Sequence, residues 1–421
     1  MTVIANAEAF GRLVSADPVL VDVRPAGEVV PGMTPATVLT SGAPLPWDAY
    51  QGGQRRAVLA GVVHEGLAPD ADAADQALRS GRVRLGACHE HGCVGSVAGI
   101  YTASMPVLVV ESSRFGNRGF CNLFEGESRK RLNYGVYDDD VRRALDYLAA
   151  ELGPLLGQAI RRLGGVPLVP IIRRALHMGD ELHSRNTAAT LLFTRELFGA
   201  FLDLAGDGGG EAVRRALAFL QASDYFFLRL SMAAAKVMAD AAHGVSGSSL
   251  VTAMTISCRE YAIRVSGLGG GWFRGPLPTV EARLFPGFTQ DDVEWIGGES
   301  HITETVGLGG FAQASAFGLQ AYQGGSPEAM VDANLAMYDI TVGEHPEFKI
   351  PYLGFRGTPT GIDVLRVVAT GVVPVIDGGL AGKDGGQIGA GVLRAPLACF
   401  QAAASVWEAE HGAAVGRASR Q

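Results

Sequence analysis

The chain has 421 residues, 48% of them hydrophobic and 19% charged, which suits two or three domains or one large body and excludes a disordered protein. Its 35 Lys and Arg residues against 43 Asp and Glu residues leave a net charge of −8, which disfavours nucleic acid and anionic membranes as partners. No apolar run reaches the ~18 residues of a transmembrane helix and no signal-peptide pattern begins the chain, so we expect a cytoplasmic protein with reduced cysteines.

The first part of the chain, residues 1–136, has mixed α/β character. Its apolar patterns predict strands at Leu20–Val23, Arg82–Leu85 and Pro106–Val110 and helices at Arg55–Glu65 and Ala71–Leu78.

The second part, residues 137–248, is predicted to be helical. Asp138–Asp140 would cap a first helix, because Asp suits both the N-cap and the positive end of the helix dipole. Further helices are predicted at Leu168–His177, Thr187–Leu204 and Tyr225–His243. The last of these is apolar on most faces, which predicts a buried central helix.

The third part, residues 249–421, is predicted to be α/β with glycine-rich loops. Patterns predict strands within Ser249–Ser266 and at Val372–Ile376, helices at Ser326–Asp339 and Ala395–Glu410, and glycine-rich loops at Gly267–Gly275 and after Ile376. The strands and helices do not alternate as in a doubly wound sheet. We therefore predict a helix-dominated α+β fold in which the three parts form one body.

The densest group of reactive side chains is the segment CHEHGC, from Cys88 to Cys93. In an extended backbone His89 and His91 would lie on one side, which suits a metal ion or a pair of proton carriers. A structural zinc site would need a second cysteine knuckle, and none is present. Three interpretations stay open: a catalytic or substrate-binding site, a metal site, and a structural polar cluster.

A second polar group is the segment HMGDELHSRN, between two predicted helices. It contains His177, Asp180, His183, Arg185 and Asn186. Polar side chains at a helix junction cost stability unless they pair or bind a ligand. One interpretation is an anion or amide site with Arg185 and Asn186 as donors, and the other is a capped junction with a His–Asp pair.

A third group follows Glu299 in the segment ESHITETVGLGG. His301 and Glu304 are three residues apart, and the amides of Gly307, Gly309 and Gly310 could bind an oxyanion or a phosphate. The segment lacks the Gly-Lys-Ser/Thr ending of a phosphate-binding Walker loop. No Rossmann fingerprint is present either.

Two further cations are candidate ligands of a substrate. Arg264 precedes the loop Gly267–Gly275, which also holds Trp272 and is either a mobile lid or a wide turn. Lys383 lies in the other glycine-rich loop.

These clusters and several other segments together resemble the YlbE-like family. The segments that carry the resemblance follow one another in order from Pro18 to the last helix: CHEHGCVGSVAGIYTASMPV, ALHMGDELHSRN, SDYFFLRLSMAAAKVMADAAHG, RVSGLGGGWFRGP, ITETVGLGGFA, IPYLGFRGTPTGIDVLRV and KDGGQIGAGVLRAPLACF. Family members carry an additional N-terminal segment before the equivalent of Val19, and the shorter start here bears on partner docking and on the substrate.

The resemblance implies a function in carbamoyl transfer. Members of the family are similar to a subunit of oxamate carbamoyltransferase, an enzyme of anaerobic allantoin breakdown that moves a carbamoyl group between phosphate and oxamate. That enzyme contains an FdrA-like subunit and a third subunit, so we expect both as partners, besides a small-molecule substrate and a second copy of this chain. The Ser-Thr-Arg-Thr phosphate motif of the aspartate and ornithine carbamoyltransferases is absent.

Carbamoyl transfer needs an anion site, donors to the carbamoyl oxygen and a base for the attacking nitrogen. As a hypothesis, Arg185 and Asn186 bind the carboxylate or amide, His89 or His91 polarises the carbonyl, and Glu304 or His301 moves the proton. The remaining candidates for substrate contact are the amides of Gly307, Gly309 and Gly310 together with Cys88, His177, Asp180, His183, Arg264 and Lys383.

Two other functions stay open at this point. One is a metal-dependent amidohydrolase of a ureido compound, in which His89, His91, His177 and Asp180 would bind zinc or another divalent metal. The other is a non-catalytic subunit of the transferase complex. For the transferase itself we expect no cofactor.

Overall fold

A computed structural model describes residues 2–418, with side chains described up to residue 411. The helices are α1 (Thr2–Ser15), α2 (Ala26–Val29), α3 (Gly52–His64), α4 (Ala71–Arg79), α5 (Asp139–Tyr147), α6 (Gly153–Leu163), α7 (Val169–His177), α8 (Thr187–Leu204), α9 (Gly210–Gln221), α10 (Phe226–Ala241), α11 (Ile302–Thr305), α12 (Gln320–Gln323), α13 (Pro327–Ala336), α14 (Val364–Thr370) and α15 (Leu397–Ala418). The strands are β1 (Pro18–Pro25), β2 (Thr37–Thr40), β3 (Arg84–Ala87), β4 (Cys93–Val94), β5 (Pro106–Ser112), β6 (Arg118–Asn122), β7 (Val166–Pro167), β8 (Val251–Ile256), β9 (Tyr261–Val265), β10 (Phe273–Gly275), β11 (Thr279–Leu284), β12 (Val293–Glu294), β13 (Thr341–Ile350), β14 (Arg356–Ile362), β15 (Val375–Gly382) and β16 (Gln387–Arg394). The predicted α+β class is confirmed.

A five-stranded sheet organises the first part of the fold. Its strand order is β4-β6-β5-β1-β7, and β5 lies at its centre because the run PVLVV is buried on both faces. Helix α10 packs against β5 and β6, and α6 packs against β1. The predicted buried central helix is therefore confirmed: every residue of α10 except Asp240 is buried.

The three predicted parts share one core. Strand β7 joins the sheet of the first part from beyond residue 136, and the largest hydrophobic cluster contains residues from Ala9 to Phe348. The boundaries after residues 136 and 248 stay a prediction.

Most predicted helices are present, and local signals explain their starts. Asp138 caps α5 as predicted, since its carboxylate accepts the amides of Asp140 and Val141 at 3.0 Å. The single helix predicted from this cap continues through one wide π turn, Leu148–Leu152, before Pro154. In residues 2–418, no helix is long and apolar enough to cross a membrane.

The glycine-rich segment after Ile376 is not a loop. It forms the strands β15 and β16 of a four-stranded sheet with the order β11-β16-β15-β12. Its glycines let neighbouring strands approach closely: a Cβ on Gly391 would overlap the carbonyl oxygen of Glu281 on β11. The sequence patterns also missed α1, β2 and the two-stranded ribbon of β13 and β14.

Candidate active site

One cavity with a volume of about 90 Å³ lies where the sheets and the central helix meet. Its walls come from the segments 96–97, 124–134, 183–184, 225–229, 294–301 and 378–387, with single contributions from Ile256 and Leu393. These segments are distant in sequence, which is typical of a site that only the folded chain assembles.

Two arginines on the cavity wall supply its positive charge. Arg229 projects from α10, is only 3% exposed, and its Nη1 donates to Oδ1 of Asn122 at 3.4 Å. The guanidinium of Arg131 lies 4.7 Å from the ring centroid of Tyr134, and both guanidiniums face Phe124, at 5.3 and 6.0 Å.

Neither arginine forms an ion pair with a carboxylate among the side chains described, and the Nε of each is buried without a partner. Arg229 is buried and Arg131 half-buried, and a guanidinium removed from water favours an anionic partner, so these two side chains make the cavity suited to an anion. Sequence reasoning missed both arginines. The sequence feature that could have indicated the site is Arg229, the single charged residue in the mostly apolar run FFLRLSMAAA.

His183 enters the cavity from the turn between α7 and α8 and is paired with a carboxylate. Its Nδ1 lies 2.8 Å from Oε1 of Glu304. Glu304 also accepts the amides of Gly310 (3.0 Å) and Asp377 (3.2 Å) and the hydroxyl of Thr303 (2.8 Å). Burial lowers the pKa of His183, but the charge and hydrogen bond of Glu304 outweigh it, so the pKa is raised above its ordinary value.

His301 lines the same cavity in an environment that lowers its pKa instead of raising it. Its ring centroid is 6.1 Å from that of His183 and 6.2 Å from that of Tyr261, and its Nδ1 is buried without a partner. Burial and the nearby His183 lower the pKa of His301 to about 3, so its ring is neutral at physiological pH.

Three serine hydroxyls complete the polar lining. Ser96, Ser184 and Ser300 line the cavity, and their hydroxyls form no hydrogen bond with any side chain or backbone group described. The cavity therefore combines two arginines, hydroxyl donors and two histidines in contrasting environments, and Glu125 and Glu294 also line it.

Comparison of the chain with known proteins identifies its family. The family model described as oxamate carbamoyltransferase subunit AllG matches residues 83–300, which is more than half of the chain. The chain belongs to the AllG family. The sequence predicted a chain related to a subunit of oxamate carbamoyltransferase, and membership of the AllG family confirms this. The family name YlbE-like is not supported by these matches.

Two proteins of Escherichia coli K12 and one solved structure are similar along almost the whole chain. AllG, an oxamate carbamoyltransferase subunit, is 38% identical over 404 residues, covering 95% of this chain and 96% of AllG. The uncharacterized protein YahG is 40% identical over 410 residues, covering 97% and 86%. A crystal structure of a conserved protein of unknown function from Enterococcus faecalis V583 has a TM-score of 0.94 and 39% identity, covering 97% of this chain and 98% of that one.

The CHEHGC segment does not place its two histidines on one side, as an extended backbone would have done. Residues Cys88–His91 form a 3-10 turn after β3, which directs His89 inward and leaves His91 partly exposed, with Nδ1 at 2.7 Å from the carbonyl oxygen of Pro31. The thiol of Cys88 donates to the carbonyl of Gly99 at 3.3 Å. None of these three side chains lines the cavity of this AllG family member.

His89 lies behind the cavity wall rather than in it. Both ring nitrogens are buried without a hydrogen bond, and Nε2 is 4.0 Å from Oε1 of Glu299. Glu299, which directly precedes Ser300, accepts the amides of Gly42 (3.2 Å) and Gly95 (2.7 Å). It thereby connects the backbone next to Ser300 with the backbone next to Ser96. Burial raises the pKa of Glu299 to about 8.

The second polar group is largely a capped helix junction, but the expected His–Asp pair is not formed among the side chains described: His183 pairs with Glu304, and Oδ1 of Asp180 lies 3.5 Å from Nε of Arg185. Asp180 accepts the amide of Ala189 in the first turn of α8 at 2.8 Å. The Nε of Arg185 donates to the carbonyl of Gly179 at 3.1 Å, and Nδ2 of Asn186 donates to the carbonyl of His183 at 2.8 Å. Of this group only His183 and Ser184 line the cavity.

The glycine amides proposed for phosphate binding are already occupied. The amide of Gly309 donates to the carbonyl of Glu181 at 2.7 Å, that of Gly310 to Glu304 Oε1, and that of Gly307 to the Glu304 carbonyl at 3.2 Å. These glycines are required by packing instead, since a Cβ on Gly309 would overlap the Glu304 carboxylate.

The remaining candidates lie outside the cavity. Arg264 stacks on Trp272 at 4.3 Å and pairs with Glu90. His177 is exposed against the ring of Phe355, and Lys383 is exposed in the turn after β15.

The residues suggested for a metal site are dispersed. His89, His91, His177 and Asp180 have the separate surroundings given above, and within the side chains described no three His, Cys, Asp or Glu residues are grouped to hold a metal ion. The donor set that the amidohydrolase hypothesis requires is therefore not assembled.

Proposed function

We propose that this chain is a subunit of a carbamoyltransferase complex, and that its cavity binds the substrates of carbamoyl transfer between carbamoyl phosphate and oxamate or a related small amide or amine acid. The observation that carries the proposal is the pair of arginines, Arg131 and Arg229, that line one cavity without an ion-pair partner among the side chains described. Membership of the AllG family supports the reaction class.

The chemistry of these substrates suits the cavity lining. Carbamoyl phosphate and oxamate both carry an anionic group, and the planar fork of a guanidinium binds phosphate or carboxylate through two parallel hydrogen bonds. The free hydroxyls of Ser96, Ser184 and Ser300 are suitable donors to a carbamoyl oxygen on which charge develops. This assignment replaces Arg185 and Asn186 with Arg131 and Arg229.

We propose an FdrA-like subunit and a third transferase subunit as partners, together with a second copy of this chain. AllG is by name one subunit of its enzyme. The activity assay therefore uses both the purified chain and the complex with these partners.

Calorimetry of the purified protein with oxamate, and separately with inorganic phosphate, tests the binding part of the proposal. We expect Arg229→Gln to weaken the binding of at least one probe about 10- to 150-fold, because a hydrogen bond to a charged group contributes about 1.5–3 kcal/mol. Arg195→Gln, at the exposed surface of α8, is the matched control and should leave Kd unchanged. Equal binding by wild type and Arg229→Gln would contradict the proposal.

Phosphate release from carbamoyl phosphate that depends on oxamate tests the reaction. We expect it in the reconstituted complex, and Arg229→Gln in this chain should abolish most of it. A complex whose activity is insensitive to this substitution would assign the chemistry to another subunit. Loss of activity on treatment with a chelator would instead favour the metal-dependent hydrolase.

A further inference from the structure

Two histidines on the cavity wall stand in environments that favour opposite protonation states. We propose that His183 and His301 are the general acid and the general base of the transfer, and that Glu304 is a positioning residue that keeps His183 protonated. This inference rests on the proposed function and deepens it. Pairs of titratable groups held in contrasting environments are a recurring arrangement for acid–base chemistry.

The contacts of His183 favour an imidazolium. Its Nδ1 donates to the Glu304 carboxylate at 2.8 Å, and its Nε2 has no hydrogen-bond partner among residues 2–411 and belongs to a side chain that lines the cavity. The ring is therefore fixed by one nitrogen and can present the proton on the other to a ligand.

Glu304 itself is not placed to meet a substrate. It is fully buried and does not line the cavity, and its two oxygens accept four donors from Thr303, Gly310, Asp377 and His183. Because the carboxylate does not reach the cavity, it has no direct contact with a substrate proton. Of the two alternatives that the sequence left open, the geometry points to His301 rather than Glu304.

The contacts of His301 favour a neutral imidazole. Its Nδ1 is buried without a partner, the aromatic ring of Tyr261 lies 6.2 Å away, and the imidazolium of His183 lies 6.1 Å away. No carboxylate within ion-pair distance of the ring is found in the part of the chain that the structure describes. A buried histidine without a counter-charge stays neutral, which is the form a general base requires.

The reaction step balances in the direction that consumes carbamoyl phosphate. The amide nitrogen of oxamate attacks the carbamoyl carbon, the C–N bond forms, and the bond from that carbon to the phosphate oxygen breaks. His301 accepts the proton from the attacking nitrogen, and His183 donates its proton to the leaving phosphate oxygen. Exchange of one proton each with water restores both rings.

The charges around the pair determine the expected pH dependence. His183 faces Glu304, Asp377 and His301, and Arg229 lines the same cavity. His301 faces His183 and Tyr261, and its charge would also act on His89, which lies outside the cavity. Because the acid must be protonated, the rate should fall as the pH rises through the elevated pKa of His183.

Two measurements test the inference. The first is the pH profile of oxamate-dependent phosphate release by the reconstituted complex: Glu304→Gln should move its basic limb about one to three pH units lower, the shift that an adjacent opposite charge produces. His301→Gln and His183→Gln should each lower kcat about 10²- to 10⁴-fold with KM less affected. Glu196→Gln, on the exposed face of α8, is the control.

The second measurement is the proton–carbon NMR titration of the histidine rings in the purified chain, with His183 assigned by His183→Gln. We expect the titration midpoint of His183 to lie above the ordinary histidine value in wild type and to fall in Glu304→Gln, which removes the charge that raises it. An unchanged titration midpoint in Glu304→Gln overturns the inference even if the complex is active. An inactive wild-type complex overturns the proposed function, while the titration still tests the charge assignment.

Discussion

The Cys88–Cys93 turn and the cavity wall are the two regions richest in reactive side chains, and they differ in how the chain assembles them. The turn concentrates two cysteines, two histidines and a glutamate within six residues, yet its 3-10 geometry directs the histidines apart. The cavity collects Arg131, His183, Arg229 and His301 from four distant segments. Convergence in space, rather than density along the sequence, therefore identifies the better candidate for a catalytic site.

The largest expected difference between the two regions is in catalysis. His301→Gln should lower the transfer rate of the complex about 10²- to 10⁴-fold because it removes the general base. His91→Gln in the turn should change the rate less than about twofold, since His91 lies outside the cavity and its ring hydrogen-bonds the backbone carbonyl of Pro31. Steady-state assays of the complex at pH 7 compare the two variants. A larger loss of rate in His91→Gln than in His301→Gln would place the catalytic residues in the turn.

The next effect is on stability and compares Gly309, which lies behind the cavity wall against Glu304, with Gly92 in the turn. Gly309→Ala should lower the free energy of unfolding by about 1–3 kcal/mol, because φ is +59° and a Cβ would meet the Glu304 carboxylate. Gly92→Ala should cost about 1–2 kcal/mol for its φ of +72° alone, since the nearest atom would be 3.5 Å away. Urea denaturation measures both free energies of unfolding. Equal losses would show that the Glu304 side chain moves aside at little cost.

A smaller effect is the pH dependence of stability that Glu299 confers. Its pKa is raised from 4.5 to about 8 in the folded protein, so the folded state holds a proton that the unfolded state has released. The contribution is complete below pH 4.5 and is lost as the pH rises toward 8, with a slope of up to about 1.4 kcal/mol per pH unit.

We therefore expect the free energy of unfolding to decrease between pH 6.5 and 8. This range avoids the opposing contribution of the buried His301 and His345, whose pKa values are lowered to about 3 and whose effect ends near pH 6.5. Denaturation curves at half-unit steps test this, and a free energy that rises across the range would contradict it.

The smallest effect is expected beside the turn. Arg264→Gln removes the contact with Trp272 and the pairing with Glu90, which should cost at most about 1 kcal/mol at this partly exposed site. Binding of oxamate should stay within twofold of wild type. A larger loss of binding would show that this loop is part of the site.

Local signals were sufficient to predict much of the fold. Caps, apolar periodicity and β-branched runs located α5, α8, α10 and β5 within a few residues. Strands β15 and β16 were missed because glycine usually weakens strands, and here it serves the close approach of three strands. That use depends on a neighbouring strand about one hundred residues earlier in the chain.

The site was predicted only in part, for a similar reason. His183 and His301 stood in polar segments and were among the candidates. Arg229 was hidden in an apolar helix, where its charge was the only signal, and the pairing of His183 with Glu304 spans 121 residues. The occupied amides of Gly309 and Gly310 likewise depend on the distant residues Glu181 and Glu304.

A crystal structure of the protein with oxamate and inorganic phosphate would show directly where the anion binds. We expect an anion on the guanidinium of Arg229 or Arg131, within reach of His183 and His301. An anion bound at the Cys88–Cys93 turn, with the cavity free of ligand at saturating concentration, would contradict it.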